Sequence, residues 1–550
     1  MKTVFVKKSD ALDKKALEKA ASIIKGGGLV AFPTETVYGL GASAYSGEGA
    51  EKIYLAKGRP CDNPLIVHIA DARDAEEFAY TSDIYYKITD EFSPGPITVI
   101  LPKKPVIPDR VTGGLQTVAV RIPSHPVARA FIRAAGVPIA APSANISGRP
   151  SPTRAEHVLE DLDGRVDMII DGGDCEFGLE STIVRISDSG AVILRPGAVT
   201  EEMLSRVTRV SVTDGMFRRP EENEKPEAPG MKYTHYAPKA PVYMVRGGRE
   251  DTVEFFNSLL AKDPNTGIIA FEEDKDRVRG KNVKYIRSDP ESQGKRLFAV
   301  LRSFNKTDAG VIYSVIPSSR GGMGLAVMNR MTKAAGFKTV KAAPTPYIIG
   351  ITGQTGAGKG EVCRVLEKQG IPTLDCDRVY AELIAPPSAL LDRIGAEFGT
   401  EAINEDGTLN RGRLSSIVFS EGEKLKILNS ITHGAVLDEV RLRLKALYEK
   451  GAVIAAVDAP QLFEAGFDRE CDTVVAVLAP EGDRLKRITA RDNITEENAF
   501  LRMQNQHGED FFLSHCDRVL KNDSTLEELE KSVCEAVLQI KKEAGFELCG

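Results

Sequence analysis

The feature that most constrains the fold is a glycine-rich loop that joins an apolar segment to a helical pattern in the last third of the chain. Residues 347–351 are mainly apolar and predict a buried strand. Gly353, Gly356 and Gly358 then lead to Lys359, after which apolar residues recur at helical spacing. In a phosphate-binding loop of this design, backbone N–H groups surround the phosphates and the lysine neutralises them. The pattern therefore predicts a nucleotide-binding domain with a parallel sheet.

The same loop lacks one of the usual parts of such a site. Gly360 stands where a serine or threonine normally supplies a hydroxyl to Mg²⁺. A glycine there also weakens the start of the helix by up to ~1 kcal/mol relative to alanine. We expect Mg²⁺ as the cofactor, held through water or carboxylates, and the candidate metal ligands are Asp377 and Asp458.

Length, charge and cysteine usage exclude several classes of protein. At about 150 residues per domain, 550 residues predict three or four domains. The 72 Lys and Arg residues against 78 Asp and Glu residues give no global basic field for nucleic acid, although local patches stay open. The eight cysteines form no C-x-x-C pair, which favours reduced thiols. Without an export signal or a membrane-length apolar run, we expect a cytoplasmic protein with no membrane partner.

Residues 1–207 predict a mixed α/β domain without strict alternation of strands and helices. The predicted strands are 29–32, 64–69, 97–101, 118–122, 139–140, 168–170 and 182–186. The predicted helices are 10–25, 49–56, 126–135 and 154–162. We expect one twisted mixed sheet with helices packed against it.

The rest of the chain divides into a linker and two further domains. Residues 208–241 are predicted to be a linker, interrupted by the aromatic segment 231–238. Residues 242–340 predict a small Rossmann-like accessory domain, with strands at 242–245, 267–271, 283–286 and 311–315. It shows no catalytic constellation, so we expect it to position the linker. The glycine loop belongs to the last domain, residues 346–545.

Three short segments of the first domain read together as one site for a nucleotide and an amino acid: 57–60, 141–145 and 194–197. Lys57 and Arg59 suit a polyphosphate, although cations at a helix end are common without any ligand. The turn at 32–41, with its threonines and glycines, is either a ligand-binding loop or an ordinary turn. A lone histidine such as His68 is more often a packed residue than a ligand.

In combination these segments resemble the threonylcarbamoyl-AMP synthase family, and the similarity runs almost continuously over residues 27–200. Residues 231–238 resemble the linker motif of the family's long form, and 324–330 resemble the end of its extra domain. The resemblance implies condensation of L-threonine, bicarbonate and ATP into L-threonylcarbamoyl-AMP, with release of diphosphate. It also implies transfer of the product to a tRNA threonylcarbamoyl transferase complex, while direct tRNA binding stays open.

The resemblance assigns roles to individual residues as well. Those implied to contact threonine are Thr36, His68, Arg121, Ala141 and Ser181. Those implied to contact ATP are Arg59, Asn63, Thr117, Ser143, Ser151, Arg195 and Tyr236. Arg121 would pair with the threonine carboxylate, and Tyr236 would make the linker a lid. Catalysis would consist of positioning and of charge neutralisation by Lys57, Arg59 and Arg195 with Mg²⁺.

Residues 349–533 resemble dephospho-CoA kinase. The matching segments are the glycine loop, 374–377, 398–399, 406–411, 457–464, 479–480 and 487–492. The resemblance implies transfer of the γ-phosphoryl group of ATP to the ribose 3′-hydroxyl of dephospho-CoA. Asp377 would be the base, Lys359 would be catalytic, and Arg491 would lie in a lid. The implied ATP-binding residues are Gly356, Ala357, Gly358, Lys359, Gly360, Glu361 and Arg491.

Alternatives stay open for both halves of the chain. The last domain departs from the kinase pattern at Gly360, at Gln461 and at Gly434, so a degenerate kinase-like domain is the alternative to an active one. The first site could instead belong to an RNA-binding module that uses Lys57 and Arg59. A scaffold that binds nucleotides in both halves without turnover is a third alternative.

Overall fold

The structure, a computed structural model, describes residues 2–187, 190–213, 236–317, 321–419, 422–504 and 506–544. The chain divides into two compact units, Met1–Ala342 and Ala343–Gly550. Two sheets belong to the first unit and one to the second. Within the described ranges, no helix combines the length and the apolar character that crossing a membrane requires.

The N-terminal part of the first unit is built on one sheet of 11 strands. The strands are β1 (Val4–Val6), β2 (Val30–Phe32), β3 (Gly39–Ser43), β4 (Ile66–His68), β5 (Ile97–Pro102), β6 (Thr117–Arg121), β7 (Ile139–Ala141), β8 (Met168–Ile170), β9 (Thr182–Ser187), β10 (Gly190–Arg195) and β11 (Val210–Val212). Their order is β1-β8-β2-β3-β7-β4-β6-β5-β9-β10-β11. The helices are α1 (Lys14–Lys25), α2 (Gly47–Lys57), α3 (Asp83–Phe92), α4 (Asp109–Thr112), α5 (Pro126–Ala135), α6 (Ala155–Leu162) and α7 (Glu201–Leu204). Parallel and antiparallel pairs occur together, so the predicted mixed sheet is confirmed.

Local side-chain chemistry decides where the predicted helices begin and end. Helix α1 begins at Lys14 rather than at residue 10, because the Asp13 carboxylate accepts the backbone N–H of Lys15 at 2.7 Å and caps the helix. Helix α2 ends at Lys57, one residue beyond the predicted end. The next residue, Gly58, has φ 60°, a left-handed conformation that favours glycine.

Two regions differ from the sequence-based expectation. Part of the segment predicted as a turn, 32–41, is the start of strand β3. A Cβ on Gly41 would lie 2.6 Å from Cγ2 of Ile139, so this glycine allows close packing rather than the approach of a ligand. Residues 210–212, predicted to lie in the linker, form strand β11 and pair with β10. Residues 214–235, with most of the aromatic motif, lie outside the described residues.

The centre of this sheet places three predicted site residues on neighbouring strands. Strands β4 and β6 are parallel, and their register sets His68 opposite Arg121. Strands β4 and β7 are antiparallel, and their register sets Ile66 opposite Ala141. Hydrogen-bonded strands lie about 4.8 Å apart, so this register holds residues that are remote in sequence within contact distance.

The C-terminal part of the first unit carries a five-stranded, fully parallel sheet in the order β14-β13-β15-β12-β16. Its strands are β12 (Val242–Arg246), β13 (Gly267–Phe271), β14 (Val283–Ile286), β15 (Ile312–Val315) and β16 (Thr339–Lys341). Its helices are α8 (Arg249–Lys262), α9 (Pro290–Ser303) and α10 (Gly322–Ala334). The predicted Rossmann-like architecture matches this sheet, which gains the additional edge strand β16.

Helix α10 is enclosed on all sides. Twelve of its 13 residues are buried, which one sheet alone cannot achieve. The accessory sheet covers one side of the helix, and the N-terminal part of the first unit covers the other. Its residues Val37 and Leu179 share an apolar cluster with Phe298 and Val327 of the accessory domain.

The second unit is a parallel sheet in the order β18-β19-β17-β20-β21. Its strands are β17 (Tyr347–Gly353), β18 (Thr373–Asp375), β19 (Ile454–Asp458), β20 (Thr473–Leu478) and β21 (Arg518–Lys521). Its helices are α11 (Lys359–Lys368), α12 (Cys376–Leu383), α13 (Ala389–Phe398), α14 (Arg411–Phe419), α15 (Gly422–Glu449), α16 (Glu481–Asp492), α17 (Glu496–Gln504), α18 (Glu509–His515) and α19 (Leu526–Glu543). The carboxyl ends of β17, β18 and β19 are adjacent, which is where ligands bind in open parallel sheets.

Replacing Phe131 with alanine should destabilise the first unit by about 3–5 kcal/mol, because the ring is fully buried and packs against Phe32. Leu55→Ala is the matched control, since Leu55 is 80% exposed and its loss should change stability by less than about 0.5 kcal/mol. Urea unfolding of the full chain, followed by hydrogen exchange in peptides from residues 126–135, measures both variants. Equal effects of the two substitutions would contradict this assignment of the core.

Candidate active sites

One cavity in the first unit collects side chains from all three segments singled out in the sequence. The empty space that it offers, including the part open to solvent, is about 670 Å³. The predicted residues that line it are Lys57, Arg59, His68, Arg121, Ala141, Ser143, Arg195 and Tyr236. Sequence reasoning gave no role to the other lining residues, Thr34, Val37, Gly39, Ile66, Pro142, Asn145, Ser147 and Glu180. Most of these lie within the quoted motifs, and that position was the available signal.

The remaining predicted residues lie behind this lining: Thr36, Asn63, Thr117, Ser151 and Ser181. The Thr36 hydroxyl is buried 3.0 Å from that of Thr34, which does line the cavity. Asn63 is buried, and its backbone carbonyl accepts a hydrogen bond from Arg59 Nε at 3.3 Å. Thr117 is half-buried at the start of strand β6. Thr36 and Asn63 therefore contact residues that line the cavity, the first through its hydroxyl and the second through its backbone.

Ser151 and Ser181 also act through a neighbour. The Ser151 hydroxyl donates to Glu180 Oε1 at 2.5 Å. The Ser181 hydroxyl lies 2.7 Å from that of Thr98. The backbone carbonyl of Ser181 accepts hydrogen bonds from Arg195 Nε and Nη2 at 3.2 and 3.0 Å. Both serines thus orient charged groups that face the cavity.

Lys57 is fully buried and spans to the opposite wall. Its ammonium donates to the backbone carbonyls of Ser143 and Asn145, each at 2.5 Å, and to Asn145 Oδ1 at 3.4 Å. Burial and the charge of Arg59 lower the pKa of Lys57 well below its usual value. Because three protein oxygens occupy the amine, its role in this structure is to hold the loop at 143–145, rather than to contact a phosphate directly.

Arg121 is held by a carboxylate that sequence reasoning did not assign. Its Nη2 donates to Glu35 Oε1 at 2.5 Å, and both side chains are almost completely buried. Glu35 Oε2 in turn accepts the backbone N–H of Ser124 at 3.0 Å. Arg121 Nε is buried without a hydrogen-bond partner among the described residues. A buried donor left in this state at a cavity wall is a binding group for an anionic ligand.

His68 is both packed and part of the cavity lining, so the two alternatives for this residue coexist. Its ring contacts Phe32 edge to face at 5.8 Å, and Nδ1 lies 3.1 Å from the carbonyl of Ile66. Burial and the charge of Arg121 lower the pKa of His68 to about 3. The imidazole is therefore neutral and offers a hydrogen bond without adding charge.

Tyr236 belongs to the predicted linker, follows the segment 214–235 in the chain, and lines the cavity. Its φ is 70°, it is 5% exposed, and its ring stacks on Phe298 with centroids 4.9 Å apart. Burial and the charge of Glu180 raise the pKa of Tyr236 to about 12, so the phenol stays protonated. The ring therefore forms part of the cavity lining and is held there by Phe298.

The glycine loop of the second unit has the geometry of a phosphate-binding loop. Gly358 has φ 101°, and a Cβ there would lie 2.3 Å from Nδ2 of Asn522, so only glycine fits. The Asn522 amide donates to the Ala357 carbonyl at 2.8 Å. The Lys359 ammonium lies across the loop, 3.1 Å from the carbonyl of Gly353. The lysine is thus held in position beside the space that the loop encloses.

Gln506, which was not predicted from the sequence, holds this loop in place through two hydrogen bonds to Thr355. Gln506 Oε1 accepts the backbone N–H of Thr355 at 2.8 Å, and its amide donates to the Thr355 hydroxyl at 2.9 Å. Arg484 adds a hydrogen bond from Nε to the Thr355 carbonyl at 3.0 Å.

The predicted lid residue Arg491 pairs with its neighbour Asp492 at 2.7 and 3.0 Å and is mostly exposed.

Two carboxylates lie at the carboxyl edge of this sheet. Burial raises the pKa of Asp458 to about 6 despite the nearby charge of Lys359, and Asp458 Oδ1 has no hydrogen-bond partner among the described residues. Burial and Asp375 raise the pKa of Asp377. Asp375 caps helix α12 by accepting the backbone N–H of Asp377 at 2.8 Å. In the described part of the chain, no group of three or more His, Cys, Asp or Glu residues is placed to hold a metal.

Replacing Lys57 with methionine should reduce turnover at the first site by at least about 100-fold, or ~2.7 kcal/mol, because two buried carbonyls lose their donor and the 143–145 loop is released. Lys52→Met is the matched control. Lys52 lies on the same helix and also donates to a carbonyl, that of Gly27, but is exposed. Steady-state rates of diphosphate release measure both variants, and similar rates for the two would refute this role of Lys57.

Comparison with known proteins supports the same division of the chain. Residues 22–197 match the family described as "Telomere recombination", the Sua5, YciO and YrdC family. Residues 199–336 match "Threonylcarbamoyl-AMP synthase, C-terminal domain", and residues 347–528 match "Dephospho-CoA kinase".

Individual relatives agree with these matches. The threonylcarbamoyl-AMP synthase of Bacillus subtilis is 45% identical over 332 residues, which cover 59% of this chain and 94% of that protein. The crystal structure of Pyrococcus abyssi Sua5 complexed with L-threonine is 39% identical, with a TM-score of 0.56, covering 62% of this chain and 99% of that one. The dephospho-CoA kinase of Lactobacillus acidophilus is 33% identical and covers 36% of this chain and 98% of that protein. The chain therefore belongs to two enzyme families, the threonylcarbamoyl-AMP synthases through its first unit and the dephospho-CoA kinases through its second.

Proposed function

We propose that the first unit condenses L-threonine, bicarbonate and ATP into L-threonylcarbamoyl-AMP and diphosphate. The observation that carries this proposal is the single cavity in which Arg59, Arg121 and Arg195 surround a hydroxyl-bearing wall. Three cations suit a ligand set with a triphosphate and a carboxylate.

The threonine end of the cavity is the one around Arg121. Its guanidinium is fixed by Glu35, its Nε is unpaired among the described residues, and His68 beside it is neutral. This arrangement favours a carboxylate, which would pair with Arg121 without competition from a second cation at His68. The structure of the Pyrococcus abyssi relative in complex with L-threonine supports threonine as a ligand of this chain.

The reaction needs no protein nucleophile. The threonine amine takes up bicarbonate with loss of water and becomes a carbamate, whose oxygen attacks the α-phosphorus of ATP as diphosphate leaves. Arg59 and Arg195 are each held by backbone carbonyls, so their charges are already in place when the negative charge on the leaving diphosphate grows. We propose that the product then passes to a tRNA threonylcarbamoyl transferase complex.

We propose that the second unit transfers the γ-phosphoryl group of ATP to the 3′-hydroxyl of dephospho-CoA. Three observations support an active site rather than a degenerate one. Gln506 holds the glycine loop in place, Lys359 is hydrogen-bonded across that loop, and the pKa of Asp377 is raised. An aspartate with a raised pKa is a better proton acceptor for the ribose hydroxyl than an ordinary one.

Mg²⁺ fits this site as a partner of the nucleotide rather than as a resident ion. When bound, it would neutralise the phosphate oxygens of ATP. The unpartnered Oδ1 of Asp458 is the group that would hold it, directly or through water. Gly360 contributes no hydroxyl, so the protein offers fewer ligands than this type of loop usually does.

Both proposals are tested by mass spectrometry of the products after incubation with ATP, Mg²⁺, bicarbonate, threonine and dephospho-CoA, each omitted in turn. Diphosphate and the threonylcarbamoyl adenylate should require threonine and bicarbonate, whereas ADP and CoA should require dephospho-CoA. Binding of ATP without either product would instead support the nucleotide-binding scaffold. Binding of RNA without threonine-dependent diphosphate would support the RNA-binding module.

Replacing Gly360 with serine should lower the Mg²⁺ concentration needed for half-maximal CoA formation by about 3- to 10-fold, since a hydroxyl returns to the metal site. A Cβ at Gly360 meets no atom within 4 Å, so the side chain fits. Gly360→Ala is the control, because it restores helix propensity without a hydroxyl. An equal effect of alanine and serine would assign the change to the helix, and no turnover in either variant would support a degenerate acceptor site.

A further inference from the structure

A buried ion pair links the accessory domain to the wall of the synthase cavity. Arg330 of helix α10 is completely buried, and its Nε donates to Glu180 Oε2 at 3.0 Å. Its Nη2 lies 3.4 Å from the backbone carbonyl of Glu180, and its Nη1 donates to Asn329 Oδ1 at 3.1 Å. The Arg330 guanidinium therefore contacts both the side chain and the backbone of Glu180.

Glu180 lines the cavity that we assign to ATP and threonine. Its second oxygen, Oε1, accepts the hydroxyl of Ser151, so the two carboxylate oxygens hold one group from each domain. Burial raises the pKa of Glu180, but the charges of Arg330 and Arg195 lower it by more, so the net pKa lies below its usual value. Glu180 is thus a carboxylate in a site built to receive a triphosphate.

A carboxylate in that place opposes nucleotide binding unless a cation neutralises it. The N-terminal part offers Arg195, which also lowers the pKa of Glu180. If Arg195 were the cation that neutralised Glu180, the charge of Arg195 would no longer be available to the phosphates of ATP. Arg330 supplies a separate cation from behind the wall and leaves Arg195 on the carbonyl of Ser181.

We infer that Arg330 is a positioning residue of the synthase site, which neutralises Glu180 so that Arg195 and Ser151 keep the geometry that ATP requires. The accessory domain thus completes the charge balance of the ATP site, in addition to packing Phe298 against Tyr236, which lines the cavity. This inference rests on the proposed synthase reaction.

The test is Arg330→Gln in the full-length chain, assayed by threonine-dependent diphosphate release, which the kinase reaction does not produce. The KM for ATP should rise at least 10-fold, about 1.4 kcal/mol, while the KM for threonine stays within twofold. In the double variant Glu180→Gln with Arg330→Gln, no charge is left unbalanced. That variant should recover a KM for ATP within threefold of the original protein.

Arg302→Gln is the matched control. Arg302 also comes from the accessory domain, is 4% exposed, and pairs with Asp161 of the N-terminal part at 2.7 Å, but it does not line the cavity. Its loss should lower the thermal unfolding temperature by as much as the loss of Arg330, with the KM for ATP unchanged.

The inference is overturned if Arg330→Gln behaves like Arg302→Gln, with lower thermal stability and an unchanged KM for ATP. If Arg330→Gln does not fold, the double variant decides alone. A KM for ATP near the original value supports charge compensation, and a rise above 10-fold contradicts it. Absence of threonine-dependent diphosphate release in the unaltered protein would instead refute the proposed synthase reaction.

Discussion

The synthase site depends on keeping several cations buried around one cavity without leaving any of them as an isolated charge. An unpaired buried cation loses its charge or destabilises the fold, so each needs oxygen partners. Lys57 has the carbonyls of the 143–145 loop, Arg195 has the carbonyl of Ser181, and Arg121 has Glu35. The carbonyl that holds Arg195 is neutral, so it fixes the guanidinium in place and leaves its charge available to a phosphate. The amine of Lys57 instead holds the 143–145 loop.

The kinase site of the second unit meets a similar electrostatic demand with backbone groups. In a loop of this type backbone N–H groups surround the phosphates, and here Gln506 and Asn522 hold the loop in shape. Backbone donors carry no desolvation cost comparable to that of a buried guanidinium, so this site needs one main cation, Lys359. The two ATP sites of the chain therefore bind the same ligand in different ways, the first mainly through buried cationic side chains and the second mainly through backbone groups.

Sequence reasoning was most successful where one local signal decides the structure. Gly58 after an apolar helix, and the strand, glycine loop and lysine at 347–359, predicted elements that the structure contains. Strand β11 was not predicted because it has only three residues, and only their pairing with β10 makes them a strand. The convergence of distant motifs was predictable as a hypothesis from the resemblance. The contacts of Glu35, Gln506 and Arg330 were not predictable, because each joins residues more than 80 positions apart, although Glu35 and Arg330 lie in segments quoted from the sequence.

The contact between Glu180 and Arg330 also has a consequence for assembly of the site. The two residues are 150 positions apart, and Arg330 lies on a helix whose burial requires both domains of the first unit. Contacts of such sequence separation form after local ones, since the chain entropy of closing the loop must be lost before they contribute. Packing of helix α10 against the N-terminal part is therefore a late step compared with formation of the helix itself. Docking of helix α10 then buries the carboxylate and its partner cation together, so closure of the cavity and neutralisation of its wall are one event.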